Sequence, residues 1–349
     1  MIMKDILQNK LYLEDINKAL NSIDLSRLNN KSIIITGGLG LICSAIVDII
    51  HIYNVNNNAN IKIYVADIAE EFFNTRYGMY KDVIYLKYNA LEPLTFDVPT
   101  DFIVHGAGLA SPELFVNKPV ETMTSNFLGV KYLLDYALKH KTESFLYISS
   151  SEVYGRKETS DSFIENVFGT CDINTIRASY YEAKRASEVL CRSYASEYGV
   201  HTVMVRPGHI YGPTASPKDQ RVSSDFAFKA ARGEDIELKS TGLTVRSYCY
   251  SLDCAVALLY ALLFGENGES YNIGHDEKTT IRKMSEILAK AGNVNLSIKE
   301  ATEEERKRFN PMDNATLNND KIKAIGYRDN FSVEEGLSHT VLIIKDLYY

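Results

Sequence analysis

The chain has 349 residues, of which 45% are hydrophobic and 24% charged, as expected for a globular protein of one large α/β domain or two closely joined ones. A formal net charge of -7 and the lack of a basic block argue against a nucleic-acid partner. Five scattered cysteines without CxxC spacing indicate neither a disulfide framework nor a metal site, and no apolar stretch is long enough to span a membrane. The N-terminus does not have the pattern of a signal peptide, so we expect a cytoplasmic protein.

An amphipathic helix is predicted over residues 4–22, ahead of a region in which strands and helices alternate. The predicted strands are Lys31–Thr36, Ile61–Ala66, Val83–Tyr88, Asp101–His105, Ser144–Ser149 and His201–Arg206. The predicted helices are Leu41–Ile52, Val120–Lys139 and Tyr180–Tyr198, with a loop over the asparagine-rich Asn54–Asn60. This alternation predicts an α/β fold with a doubly wound parallel sheet of the Rossmann type.

After Arg206 the alternation loosens, and glycines and prolines mark loops between shorter helices such as Ser224–Arg232 and Thr280–Ala291. We therefore predict a smaller C-terminal α/β region that binds substrate. The expected division is a helical extension over residues 1–28 and a cofactor-binding domain over 29–206, to which 247–262 return. Residues 207–349 would be mainly the substrate-binding region.

Glycines follow the first strand directly, in the stretch Thr36-Gly-Gly-Leu-Gly-Leu-Ile-Cys43. Glycines in a strand-to-helix turn let the backbone approach a pyrophosphate, which the helix N-terminus then stabilises. The predicted cofactor contacts in this turn are Gly37, Gly40, Leu41 and Ile42. Cys43 replaces the third glycine of the usual pattern, a position that serves helix–strand packing rather than phosphate contact.

The second predicted strand is followed by Asp67, and no arginine comes directly after it. A carboxylate at this position can accept hydrogen bonds from both ribose hydroxyls of NAD and repels the additional phosphate of NADP. The other interpretation is a solvated loop aspartate. The position favours NAD as the cofactor.

Tyr180 and Lys184 stand four residues apart, so they share one face of the predicted helix. A neighbouring ammonium makes a phenol more acidic, and such a phenol can take a proton from a sugar hydroxyl. The pair alone is a weak signal, since it is usually surface decoration. The fifth strand, however, ends in Ser149-Ser150-Ser151-Glu152, and the ligand crevice of a parallel sheet lies at that end.

Several stretches carry a resemblance to a known family. They are His105-Gly-Ala-Gly-Leu-Ala-Ser-Pro112, Pro119 with Asn126, the Ser-Glu-Val-Tyr-Gly turn, Arg177-Ala-Ser-Tyr-Tyr-Glu-Ala-Lys-Arg185, Arg221-Val-Ser-Ser-Asp-Phe226 and Arg246-Ser-Tyr248. The chain after residue 28 resembles the extended short-chain dehydrogenase/reductase family of nucleotide-sugar enzymes, nearest its UDP-glucuronate decarboxylase branch.

The resemblance implies roles for individual residues. Tyr180 would be the base for oxidation at sugar C4, with Lys184 lowering its pKa and holding the nicotinamide ribose. Ser150 would bond the same C4 oxygen, Glu152 would lie near C5, and Arg246 would hold the substrate carboxylate or supply a proton. Ala107 would contact the cofactor. The substrate-binding residues implied are Ser111, Arg177, His209, Arg221 and Arg246.

The resemblance leaves the reaction open between decarboxylation of UDP-glucuronate, 4-epimerisation and 4,6-dehydration. His209 stands where the family usually has asparagine, and Ser151 where the common dehydratase pattern has aspartate. A non-catalytic NAD-binding regulatory protein is the alternative of another class. The resemblance also implies envelope polysaccharide synthesis and a homodimer formed through the helices Val120–Lys139 and Tyr180–Tyr198.

Overall fold

The structure is a computed structural model that describes residues 5–157, 159, 161–299 and 314–349. Its strands are β1 (Ser32–Thr36), β2 (Lys62–Asp67), β3 (Val83–Lys87), β4 (Phe102–His105), β5 (Ser144–Ile148), β6 (Thr202–Pro207), β7 (His209–Tyr211), β8 (Ile236–Leu238), β9 (Val245–Tyr250), β10 (Ser270–Ile273), β11 (Lys278–Thr280), β12 (Leu296–Ile298) and β13 (Asn314–Ala315). Its α-helices are α1 (Lys10–Leu20), α2 (Leu41–Asn57), α3 (Glu70–Tyr77), α4 (Pro112–Asn117), α5 (Pro119–His140), α6 (Ala178–Tyr198), α7 (Val222–Arg232), α8 (Ser251–Phe264), α9 (Ile281–Gly292), α10 (Asp320–Ala324) and α11 (Val333–Tyr348).

The central sheet has seven strands in the order β10-β6-β5-β4-β1-β2-β3, and every neighbouring pair is parallel. The inner strand β1 is buried at all five of its positions, which explains why its centre, Ile33–Ile35, is an apolar run rather than an alternating pattern. The predicted doubly wound parallel sheet of the Rossmann type is confirmed.

The order of the strands creates a crevice at one edge of the sheet. From β1 the chain continues outward to β2 and β3, whereas β4, β5 and β6 follow on the opposite side. Helices that leave to opposite faces therefore part beyond the C-terminal ends of β1 and β4, and this is where such sheets bind ligands. The glycine loop at Gly37 and the turn at Gly106 follow those two strands directly.

The later half of the chain contributes to both parts of the molecule. It supplies the seventh strand β10, which was not predicted, and helix α8, which packs on α2, β5 and β6. It also forms a smaller sheet in which β9 pairs with β7, β11 and β13. The domain boundaries given above stay a prediction, and residues 1–4 and 300–313 of the outer segments lie outside the described residues.

Helix α2 is longer than predicted, because it runs through part of the asparagine-rich stretch as far as Asn57. Asn54 is buried and its side chain bonds the backbone nitrogen and oxygen of Ile61, at 2.9 and 3.0 Å. Asn58 then ends the helix in the left-handed conformation, which asparagine tolerates better than most residues. The expected loop is therefore confined to the last residues of that stretch.

The N-terminal extension packs against the body of the protein through α1. Tyr12, Ile16 and Ala19 are fully buried, and an isoleucine buried in this way stabilises a fold by roughly 1.5–3 kcal/mol. The Tyr12 hydroxyl donates to Asp48 of α2 at 2.8 Å. The Asp15 carboxylate accepts a hydrogen bond from the Tyr250 hydroxyl, at the end of β9, at 3.0 Å. It also lies 3.0 Å from the Nδ1 atom of His339 on α11.

None of the helices in the described ranges is both long and apolar enough to cross a bilayer.

Candidate active site

The glycine loop after β1 has a backbone shape that a side chain would obstruct. Gly37 has a φ of +65°, and a Cβ on it would lie 2.9 Å from the backbone nitrogen of Ala107. Gly40 then precedes Leu41 and Ile42, the first two residues of α2, so the loop ends at a helix N-terminus. Free backbone N–H groups at a close-approach loop are what a pyrophosphate requires.

The Asp67 carboxylate faces this loop from the end of β2. It accepts hydrogen bonds from the backbone nitrogens of Leu39 at 3.3 Å and Ile68 at 2.8 Å. In a sheet of this type the carboxylate at this position meets the ribose of a dinucleotide. The loop, the helix start and Asp67 together fit NAD.

Cys43 fills space that a neighbouring glycine leaves open. A Cβ on Gly106 would lie only 2.4 Å from the Cys43 sulfur. Burial raises the pKa of the Cys43 thiol to about 12, and the charge of Asp67 adds to this effect. The thiol is therefore neutral and packs α2 against the end of β4.

Tyr180 and Lys184 lie on one buried face of α6, near the C-terminal end of β5. The Tyr180 ring stacks on Phe115 of α4, with centroids 4.1 Å apart and planes inclined by 14°. The Lys184 Nζ atom donates to the carbonyl oxygen of Ile148 at 2.8 Å and lies 5.8 Å from the centre of the Tyr180 ring. The structure thus brings the predicted phenol and ammonium together at the crevice.

Burial acts on the pKa values of both Tyr180 and Lys184. Burial raises the pKa of Tyr180 above its ordinary value and the charge of Glu152 raises it further, while a hydrogen bond with Ser150 opposes both. Burial also lowers the pKa of Lys184 to about 7, so the lysine has lost much of its charge near neutral pH. Burial therefore dominates the pKa of Tyr180, and a lowering of this pKa by Lys184 stays a prediction.

Ser150 and Glu152 are held in the turn that follows β5. The Ser150 hydroxyl oxygen accepts from the backbone nitrogen of Glu152 at 3.2 Å, which caps the short 3-10 turn Ser151–Tyr154. The Glu152 carboxylate accepts a hydrogen bond from Arg177 at 2.6 Å. Burial raises the pKa of Glu152, and the charge of Arg177 opposes the shift. The structure therefore groups Ser150, Glu152 and Arg177 beside Tyr180.

Two more predicted residues lie on the paired strands β7 and β9. His209 is opposite Tyr248 in the register of this pair, and their rings are 5.8 Å apart. Arg246 is 3% exposed and donates to the Val245 carbonyl oxygen at 2.9 Å. Burial lowers the pKa of His209 to about 3, and the charges of Arg246 and Arg221 lower it further, so this imidazole is neutral.

Arg221 and Ser111 border the same region from outside. Arg221 precedes α7 and forms an ion pair with Asp219 at 2.5 Å. Its positive charge opposes the burial that raises the pKa of Tyr180. Ser111 is exposed at the start of α4, the helix whose Phe115 stacks on Tyr180. All the predicted substrate residues therefore lie on elements that meet around the tyrosine or around His209.

The sequence reasoning missed Phe115 and the buried ion pair between Glu188 and Arg206. Phe115 has no sequence signal, because its helix is only six residues long. The ion pair, in contrast, does have a signal in the sequence. Arg206 interrupts an otherwise buried apolar strand, and Glu188 follows Lys184 by four residues, on the same face of the helix.

The fold and the crevice define a dinucleotide-dependent enzyme with a doubly wound parallel sheet. The sequence pattern of the NAD dependent epimerase/dehydratase family matches residues 33–274, well over half of the chain, and the chain belongs to this family. NAD is its cofactor. Its class of enzymes comprises nucleotide-sugar epimerases, dehydratases and decarboxylases.

Individual proteins resemble the chain over most of their length. UDP-glucuronic acid decarboxylase 5 of Arabidopsis thaliana is 30% identical over 280 residues, which cover 78% of this chain and 77% of the relative. The solved UDP-glucose 4-epimerase of Thermotoga maritima, bound to UDP-glucose, superposes with a TM-score of 0.76 at 23% identity, covering 90% of this chain and 99% of the epimerase. UDP-glucuronic acid 4-epimerase of Bacillus cereus, bound to UDP-glucuronic acid and NAD, gives 0.75 at 20% identity, covering 91% and 100%.

Proposed function

We propose that the chain is a UDP-glucuronate decarboxylase that acts through a transient 4-keto sugar. The observation that carries this proposal is the grouping of Tyr180, Lys184 and Ser150 with a glutamate, Glu152, at the end of β5. Simple 4-epimerases resemble it in the first three groups but usually lack the glutamate. The match to UDP-glucuronic acid decarboxylases at 30% identity supports the same assignment.

Each side chain has a defined task in this reaction. Tyr180 takes the proton of the sugar C4 hydroxyl, and Ser150 donates a hydrogen bond to the same oxygen. Tyr180 acts as a base only in its phenolate form, and burial raises its pKa. The proton transfer therefore depends on the ammonium form of Lys184, whose positive charge favours the phenolate. NAD, when bound, accepts the hydride from C4 and later returns it.

The carboxylate of the substrate is lost once C4 is a ketone. The C5–C6 bond then breaks, carbon dioxide leaves, and the electron pair remains as an enolate spread over C5, C4 and the C4 oxygen. Donors beside that oxygen stabilise the developing charge, and a proton delivered to C5 completes the step. Arg246 is suited to hold the C6 carboxylate beforehand, because a guanidinium stays charged and binds carboxylates in a fork.

Incubation of the purified protein with UDP-glucuronate tests the assignment. We expect release of carbon dioxide and a nucleotide product lighter by one carboxyl group, seen by mass spectrometry. Tyr180→Phe should lower kcat by about 10²–10⁴-fold, the usual contribution of a positioned acid–base group. A protein that leaves UDP-glucuronate unchanged while it converts another nucleotide sugar would reject decarboxylation.

Dehydration is the second candidate, because Glu152 could also remove the proton at C5 of a 4-keto hexose. The burial that raises the pKa of Glu152 favours such proton transfer. Mass spectrometry of the product distinguishes the reactions. Epimerisation leaves the mass unchanged, dehydration removes one water and decarboxylation removes carbon dioxide.

We also propose a homodimer formed through α5 and α6. These helices pack against each other, and they expose apolar side chains at Val120 and Met123 on α5 and at Val189 on α6. A second copy would cover this surface. Sedimentation equilibrium should give twice the mass of the chain, and Met123→Asp should shift the protein towards the monomer.

A further inference from the structure

A buried carboxylate lies one helical turn beyond Lys184. Glu188 is 3% exposed, and its two oxygens accept hydrogen bonds from the Nε and Nη2 atoms of Arg206 at 2.9 and 2.6 Å. Arg206 lies in β6 and is 1% exposed. Ion pairs buried this deeply cost so much desolvation that they rarely stabilise a fold more than apolar residues of the same size would. A pair at this position therefore calls for a reason other than stability.

Arg206 connects this carboxylate to the turn that carries Ser150 and Glu152. Its Nη1 atom donates to the hydroxyl oxygen of Tyr154, the last residue of that turn, at 2.9 Å. The Tyr154 hydroxyl in turn donates to Asn272 of β10 at 2.5 Å. One buried chain of hydrogen bonds therefore joins the helix of Tyr180 and Lys184, strand β6, the serine turn and the seventh strand.

Glu188 also acts on the charge of Lys184. Groups that face this lysine are Glu188 and Cys191 of α6, Cys43 of α2, His105 of β4, and Tyr147 and the Ile148 carbonyl of β5, besides Tyr180 itself. Burial raises the pKa of both thiols and lowers that of His105 to about 3, so these three are neutral at pH 7. Among these groups of the described chain, Glu188 carries the negative charge, because the pair with Arg206 outweighs burial and lowers its pKa.

We propose that Glu188 is a positioning residue of the reaction. Clamped by Arg206, it fixes the helix of Tyr180 and Lys184 against the serine turn, and its charge favours the ammonium form of Lys184. The proposal rests on the proposed function only in taking Tyr180, Lys184 and Ser150 as the reacting groups.

The charge effect can be measured without turnover. In protein labelled with carbon-13 at lysine Cε, the Lys184 resonance is identified by its loss in Lys184→Arg and followed through a pH titration. Removing an opposite charge of this kind shifts a pKa by about 1–3 units, so Lys184 should titrate about one unit or more lower in Glu188→Gln. Glu197→Gln, an exposed glutamate further along the same helix, should leave the titration as in the wild type. An unchanged Lys184 titration in Glu188→Gln would overturn the proposal.

The positioning effect is tested by Tyr154→Phe, which removes the link to the serine turn without changing any charge. We expect a kcat about tenfold lower, an unchanged NAD affinity and an unchanged Lys184 titration, because the variant loses both hydrogen bonds that join the turn to Arg206 and Asn272. A wild-type kcat would overturn the positioning role. This variant also decides the matter if Glu188→Gln does not fold.

The rates are measured with UDP-glucuronate or with whichever nucleotide sugar the mass-spectrometric test shows to be converted. Failure of the decarboxylase assignment therefore appears in the product of the wild type. Failure of the positioning role appears in the variants.

Discussion

The two ends of the crevice are built by different means. At the cofactor end the contacts depend on backbone shape, because Gly37 leaves no room for a Cβ beside Ala107 and Gly40 opens a helix. At the end proposed for the sugar, the crevice is lined by charged and titratable side chains, among them Arg246 and a neutral His209. A backbone site tolerates almost no substitution, whereas a side-chain site can be altered residue by residue. A crevice built in this way would let one kind of cofactor site serve different sugar reactions.

The largest effect is expected for Gly37→Val, which breaks the cofactor end. A valine would meet the Ala107 nitrogen and adopt a positive φ, a conformation that costs an L residue roughly 1–2 kcal/mol even in open space. We expect a loss of NAD affinity of about 100-fold or more, measured by isothermal titration calorimetry. Gly199→Ala is the matched control, because Gly199 also has a positive φ of +70° but nothing within 4 Å of the position of a Cβ. NAD binding unaffected in Gly37→Val would contradict the backbone description.

Arg246→Met should break the sugar end alone. A charge-assisted hydrogen bond contributes about 1.5–3 kcal/mol, so kcat/KM should fall about 10–100-fold while the NAD affinity stays as in the wild type. Steady-state kinetics and NAD titration measure the two quantities separately. Arg232→Met, at an arginine paired with the exposed Glu234, is the control for a lost surface charge. Equal losses of kcat/KM and of NAD affinity would show that the two ends of the crevice are not independent.

Asp67→Asn should change the cofactor end by charge rather than by shape. The amide oxygen can still accept the hydrogen bond from the Leu39 nitrogen, so the glycine loop should keep its conformation, whereas the bonds that the other carboxylate oxygen accepts from Ile68 and Ala69 are lost. We expect NAD affinity to fall about tenfold and the preference for NAD over NADP to narrow, because the repulsion of the additional phosphate is lost. An unchanged ratio of the two affinities would exclude Asp67 from cofactor choice.

A further effect is expected in the pH dependence of stability, through Lys184, which lies between the two ends. The pKa of Lys184 is lowered from 10.5 to about 7 by burial, so between these pH values the unfolded chain binds more protons than the folded one. The free energy of unfolding must then rise with pH through that window. Urea unfolding of the wild type minus that of Lys184→Met should show this rise. Lys131→Met, at an exposed lysine of α5, should not remove it.

Much of the central sheet could be predicted because its strands are apolar runs that end in turn residues. Strand β10, Ser-Tyr-Asn-Ile, escaped prediction because it is four residues long and half polar, and only its pairing with β6 makes it a strand. The additional length of α2 escaped prediction for a similar reason. The Asn54 side chain forms hydrogen bonds with the backbone of Ile61, a contact that local helix propensity does not reveal.

The candidate site was predictable as a set of residues but not as a set of charges. Spacing along a helix places Tyr180 beside Lys184, yet the pKa of each depends on burial by β4, β5 and α4, which are distant in sequence. The ion pair of Glu152 with Arg177 likewise joins residues 25 positions apart. The pKa values and ion pairs of the site can therefore be obtained only from the packed structure.

The single carboxylate of Asp15 bridges the first helix, the last helix and the strand that bears Arg246. A protein truncated ahead of β1 would leave the hydroxyl of the fully buried Tyr250 without this acceptor, and a bulky fusion tag pressed against α1 would strain the same junction. Loss of affinity for the sugar nucleotide is therefore the first defect to look for in shortened or tagged versions, ahead of any loss of the dinucleotide.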